Sequence, residues 1–159
     1  MESHPFIEQG SRLLAAPAFE FVLESELKRA VRAQNFLTLV VIEARREWEG
    51  LTLSADPGTV GELAEVVGRE VRDTDPLGRA DSGLLTLLLL DADLDTSTRV
   101  IDRLMARIGH YDFPTPLRVA VGAACYPTHA VDAASLRRQA AARPLVNWRG
   151  GRDTESERS

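Results

Sequence analysis

Apolar positions along the chain fall into runs that switch between helical and strand period. Over residues 17–34, Phe19, Val22, Leu23, Leu27 and Ala30 make one helical stripe, with Glu24, Lys28 and Arg32 on the other side. Pro17 suits the first turn of such a helix. Residues 36–42 are almost wholly apolar and rich in β-branched types, which predicts a buried strand. A loop containing Ser54, Pro57 and Gly58 leads to a second helix, on which Val60, Leu63, Ala64, Val67 and Val71 share a face. Residues 77–80 and 84–90 then read as two short strands, joined by Asp81, Ser82 and Gly83 in a hairpin. A third helix carries Val100, Ile101, Leu104, Met105 and Ile108. Pro114 and Pro116 break the chain before residues 117–125, which alternate as a strand that Tyr126 and Pro127 close. A short helix over 133–142 comes last, stopped by Pro144.

Helices interleaved with strands, with one hairpin inside, predict an α/β fold: a mixed central β-sheet flanked by helices. The 159 residues suffice for a single domain. Its expected bounds are 11–145, with an N-terminal extension at 1–10 and a polar flexible tail at 146–159. Phe19, Leu23, Leu27, Val40, Ile42, Leu63, Val67, Leu87, Leu89, Val100, Leu104, Val119 and Val121 are expected to be buried together.

Composition narrows the function classes. The formal charge of -5 argues against a general polyanion binder, so no nucleic-acid partner is expected. The longest apolar run, 84–90, is too short to span a bilayer, and the first residues lack the pattern of a secretory signal. A cytoplasmic protein with no membrane partner is the expectation. One cysteine, Cys125, excludes an internal disulfide, and His4, His110 and His129 follow no ligand spacing; no metal site or cofactor is expected. Cys125 reads as a buried small hydrophobe, Trp48 and Trp148 as packing residues, and His110 and His129 as exposed loop residues.

Four segments carry a resemblance to a known family. They are Phe19-x3-Leu23-x2-Glu26-Leu27-x-Arg29-Ala30, the strand Leu39-Val-Val-Ile42-Glu43, the stretch Arg72-Asp-Thr-Asp75-Pro-Leu-Gly-Arg79, and Val119-Ala-Val-Gly122-Ala-Ala-x-Tyr126-Pro127. In this order and spacing the chain resembles the GGDEF, or diguanylate cyclase, domain, a relative of nucleotidyl cyclase and polymerase palm domains. The resemblance covers residues 11–142. It implies a palm-like fold, a metal-ligand acid at Glu43 and a signature hairpin at Asp81, Ser82, Gly83, Leu84 and Leu85.

At that hairpin the sequence departs from the family. Both turn glycines are replaced, the acid positions hold Gly83 and Leu84, and the further acid past the first strand is Arg45. The stretch 51–57 offers no clear counterpart to the family's guanine-reading Asn and Asp. Diguanylate formation needs two divalent ions, and such a pair needs converging carboxylates that Glu43 alone does not supply. The expectation is a degenerate GGDEF-like domain with no catalytic residues.

The resemblance also implies a product-binding Arg-x-x-Asp motif ending five residues before the hairpin. Arg72 and Asp75 stand at that position, with Arg103 (or Arg99, one turn earlier) as the second arginine from the following helix. A guanidinium can donate two parallel bonds to guanine O6 and N7, and a carboxylate can accept from guanine N1–H and N2–H. The bland alternative is an i, i+3 ion pair at a helix end. Two function classes follow: a regulatory receptor for cyclic di-GMP, or a protein–protein interaction module in a bacterial signalling pathway that binds no nucleotide.

Overall fold

The computed structural model describes residues 12–80 and 84–142, and the backbone of 144–149. The hairpin residues Asp81, Ser82 and Gly83 lie outside them, as does residue 143. The elements in chain order are α1 (Ala16–Ala33), β1 (Leu37–Trp48), β2 (Leu51–Ser54), α2 (Pro57–Glu70), β3 (Leu77–Arg79), β4 (Leu84–Leu90), α3 (Leu94–His110), β5 (Leu117–Tyr126), α4 (Ala133–Ala142) and β6 (Pro144–Arg149).

Local chemistry sets the helix ends. Pro17 opens α1, and Gln34 closes it in the left-handed region, its amide donating to the Ala30 carbonyl. Asp56, Asp93 and Asp132 each accept from a backbone N–H at the start of α2, α3 and α4: from Thr59 at 3.4 Å, Thr96 at 2.9 Å and Ser135 at 2.8 Å. Those bonds favour the ionised carboxylates, and all three titrate below the ordinary value of 3.8. For Asp56 the largest cause is the Thr59 hydroxyl, which donates to it at 2.6 Å.

One sheet runs in the order β3-β4-β1-β5-β6, with β2 also on β1. Among the described residues every ladder is antiparallel, and the parallel component is a single bridge between Leu14 and Gly78. The reason lies in the order. β1 connects through α2 to β3, which runs the same way as β1 but sits beyond β4. β4 connects through α3 to β5, which runs the same way as β4 but sits beyond β1. Two interleaved crossovers therefore place antiparallel partners side by side.

Strand alternation sends neighbours to opposite faces, and both faces are apolar. Val40, Ile42, Leu85, Leu87, Leu89, Val119 and Val121 meet α2 and α3 on one face. Leu37, Leu39, Leu88 and Ala124 meet α1 and α4 on the other. The expected core is buried except for Val100, which is half-buried, but it is divided between two layers. Phe19, Leu23 and Leu27 lie across the sheet from the rest. Phe19 also explains Gly78. A Cβ on Gly78 would stand 2.7–2.8 Å from the Phe19 side chain, so the strand approaches the ring as only glycine allows.

Two strands correct the sequence reading. The region around 51–54 is strand β2, not loop, and it forms a hairpin with the far end of β1 through Glu49 (φ 49°) and Gly50 (φ 81°). Positive φ at both positions matches the twist of a tight two-residue hairpin. Residues 144–149 pair with β5, so the sheet continues past residue 145 into the stretch expected to be a polar tail. Cys125 is buried as expected. Trp48 is 57% exposed rather than packed. His129 is half-buried and accepts from the Cys125 amide at 2.9 Å, while His110 closes α3 with Nδ1 2.7 Å from the Ala106 carbonyl oxygen. Among the described residues, no helix is long and apolar enough to cross a membrane.

Candidate functional site

Arg72, Asp75 and Arg103 line one cleft of about 240 Å³, together with Glu70, Thr96 and Val100. Helix α2 ends at Glu70, the chain turns through residues 72–75, and α3 closes the opposite side. Residues more than thirty positions apart are thus brought to one place. The Arg99 alternative does not line the cleft.

Asp75 stands in a turn, and its own amide donates to the Arg72 carbonyl at 2.9 Å. Its carboxylate points inward, and the residue is 3% exposed. One oxygen accepts from the Leu90 amide and the other from the Arg72 amide, both at 3.2 Å. The Arg72 Nε is 3.7 Å from the same carboxylate, and Arg72 Nη2 donates to the Leu90 carbonyl at 3.0 Å. Asp75 is therefore a staple between the turn and the end of β4. The bland reading, an i, i+3 pair at a helix end, is present, but it aims Arg72 outward: its side chain is 65% exposed, with donors left over.

Three groups that the sequence reading missed complete this region. Arg12 donates to the carbonyls of Gly68 at 3.0 Å, Arg72 at 2.8 Å and Asp75 at 2.5 Å, and so holds the turn from behind. Glu70 and Arg107 join Arg103. The Arg103 Nε lies 3.3 Å from one Glu70 oxygen and the Arg107 Nε 2.9 Å from the other. Glu70 is one residue among the 13 Glu of the chain, and no motif singles it out; only the packing of α2 on α3 does.

The region of the family's catalytic site has a different character. Glu43 lies on β1 between Leu84 of β4 and Ala120 of β5. The other acid position implied for the strand is Arg45, on the same face, and its Nη2 and Nε lie 2.6 and 2.8 Å from the Glu43 carboxylate. Arg118, opposite Arg45, pairs instead with Glu47 at 2.9 Å. The strand runs on to Trp48, and β2 occupies the stretch where the resemblance placed the guanine-reading loop. Among the described residues no three His, Cys, Asp or Glu converge, and the one acid at the metal position is already neutralised by a guanidinium. These residues do not fit a pair of divalent ions. Of the signature hairpin, Leu84 and Leu85 open β4, half-buried and buried; Asp81, Ser82 and Gly83 are outside the described residues.

No family model and no curated protein matches the sequence. Solved structures do match. The GGDEF domain of YfiN (TpbB) from Pseudomonas aeruginosa superposes with a TM-score of 0.70 at 20% identity, over 85% of this chain and 84% of that one. Diguanylate cyclase SiaD from the same organism, solved with its activator SiaC, gives 0.69 at 17% identity over 87% of this chain and 56% of that one. A microbial GGDEF domain solved in an interaction with cyclic di-GMP gives 0.68 at 17% identity, over 87% and 90%. The chain has the fold of a GGDEF domain, a single palm-like α/β unit.

Proposed function

We propose that this domain is a catalytically silent receptor for cyclic di-GMP in the bacterial cytoplasm, and that the ligand binds in the cleft between α2, α3 and the Arg72–Asp75 turn. One observation carries the reading. Arg72, Asp75 and Arg103, singled out by position in the sequence, line the same cleft, and both guanidiniums are more than half exposed. Arg72 and Arg103 match Glu70 and Asp75 in number along the lining, and Arg107, paired with Glu70 just outside it, adds a further positive charge, which suits a ligand with two phosphates. In this reading Arg72 and Arg103 touch the ligand and Asp75 is a positioning residue that aims Arg72. The Arg45–Glu43 pair and the apolar neighbours of Glu43 support the absence of cyclase chemistry.

Calorimetric titration of cyclic di-GMP into the pure protein tests the proposal. A fork contact to guanine is worth roughly 1–3 kcal/mol, so Arg72→Ala should weaken binding about tenfold or more while the protein stays folded. Absence of heat at high micromolar ligand would leave the second reading, a protein-interaction module. The favouring observation for that reading is the tip of the β1–β2 hairpin, where Trp48 and Leu51 pair across the strands at 57% and 60% exposure. Diguanylate cyclase SiaD, 56% of which this chain matches, is solved in complex with a protein activator, which supports this reading.

A further inference from the structure

Glu70 ends α2 with only 15% of its side chain exposed, and its carboxylate is gripped from two sides. Arg103 and Arg107 are one turn apart on α3, so their guanidiniums project side by side. Each presents its Nε to a different Glu70 oxygen, at 3.3 and 2.9 Å, and Arg103 Nη2 also donates to the Glu70 carbonyl at 2.9 Å. Two guanidiniums on two oxygens of one anion is an arrangement that a phosphate satisfies equally well. Glu70 and Arg103 line the cleft a ligand enters, and Arg107 holds Glu70 from outside that lining.

We propose that Glu70 is a resident counter-anion. Its carboxylate occupies a phosphate subsite formed by Arg103 and Arg107, and a phosphate-bearing ligand gains that subsite by displacing it. The inference rests on the cleft being the ligand site, and it adds Arg107 to the residues that hold the ligand. The affinity of the cleft is then set by competition between an internal carboxylate and an incoming phosphate. Replacing Glu70 by Gln removes a like charge from the path and leaves one acceptor oxygen where two met the Nε–H donors. A charge that close to a bound phosphate, even screened by salt, corresponds to at least ~tenfold in affinity. A purely structural Glu70, tying α2 to α3, predicts the opposite pattern: lower stability and no gain in anion binding.

The test is titration of inorganic pyrophosphate into the ¹⁵N-labelled full chain, followed through the arginine Nε–H resonances. Glu70→Gln is expected to bind pyrophosphate at least about tenfold more tightly than the wild type, with Arg103 and Arg107 shifting together. Adding Arg107→Ala to Glu70→Gln is expected to abolish the gain. Equal or weaker binding by a folded Glu70→Gln overturns the proposal. If that variant melts below the working temperature, the wild type decides: pyrophosphate must move the Arg103 and Arg107 signals together with the Glu70 carboxylate carbon, and unmoved signals overturn it. Cyclic di-GMP is titrated in parallel. Tightened pyrophosphate binding with no cyclic di-GMP binding to either protein removes the receptor reading alone. Cyclic di-GMP binding at unchanged affinity in Glu70→Gln removes the counter-anion alone.

Discussion

Asp75→Ala separates a structural carboxylate from a ligand-reading one. In the native protein the Asp75 oxygens take the amides of Leu90 and Arg72, each at 3.2 Å, in a position only 3% exposed. Alanine leaves both amides without that acceptor. An unsatisfied buried donor costs about 1–3 kcal/mol, and the Arg72 amide, nearer the surface, recovers part of its loss by bonding to water. The net expectation is about 2–4 kcal/mol, a large fraction of the stability of a domain this size. Asp75→Asn keeps one acceptor oxygen but turns an NH₂ toward a backbone N–H, so its cost falls in between, at about 1–2 kcal/mol. Urea denaturation measured by circular dichroism reads both, and the midpoint should fall with an unchanged slope. In the same proteins Arg72 loses its partner at 3.7 Å, so ligand affinity should drop in both folded variants. An Asp75→Ala protein within about 0.5 kcal/mol of the wild type would refute the staple. Such a result would return Asp75 to the role of a carboxylate held available for a base.

Other outcomes follow from single features. Gly78→Ala should destabilise by about 1–3 kcal/mol, because its Cβ meets Phe19 Cδ1, Cβ and Cγ at 2.7–2.8 Å; Phe19→Ala in the same chain removes two of those three atoms, so the two losses should be less than additive, and additive melting shifts would speak against it. The capping aspartates Asp56, Asp93 and Asp132 have lowered folded pKa values, so their stabilisation is complete above the unfolded value of 3.8 and is lost as pH falls through the folded ones. Thermal melts over the acid range should therefore be steeper for the wild type than for the triple Asp→Asn protein, and parallel curves would remove the caps as the cause. Incubation with GTP and magnesium or manganese should give no cyclic di-GMP above a blank; turnover that vanishes in Glu43→Ala would show that the Arg45 pair does not silence the site.

The apolar periods of the sequence determined α1 to α4, the inner half of β1, and β3, β4 and β5. Each of these buries a face, and a face to be buried must be written in the side chains at period 3.6 or 2. The strands β2 and β6 are not written that way. Of β2, Leu51, Thr52 and Ser54 are exposed, and it exists because the outer half of β1 offers it an edge beyond β4. β6 likewise depends on the free edge of β5. Along β1 the polar run Glu43–Ala44–Arg45–Arg46–Glu47 has no apolar alternation that marks a strand, yet pairing with Arg118 and its neighbours keeps it extended. The sequence also singled out Arg72 and Asp75, three positions apart, because that spacing is local. It could not show that Asp75 turns inward to Leu90, that Arg12 holds the turn from behind, or that Glu70 lies between Arg103 and Arg107. Those contacts join residues far apart along the chain, and nothing but the packing of α2 and α3 on the sheet brings their charges within bonding distance.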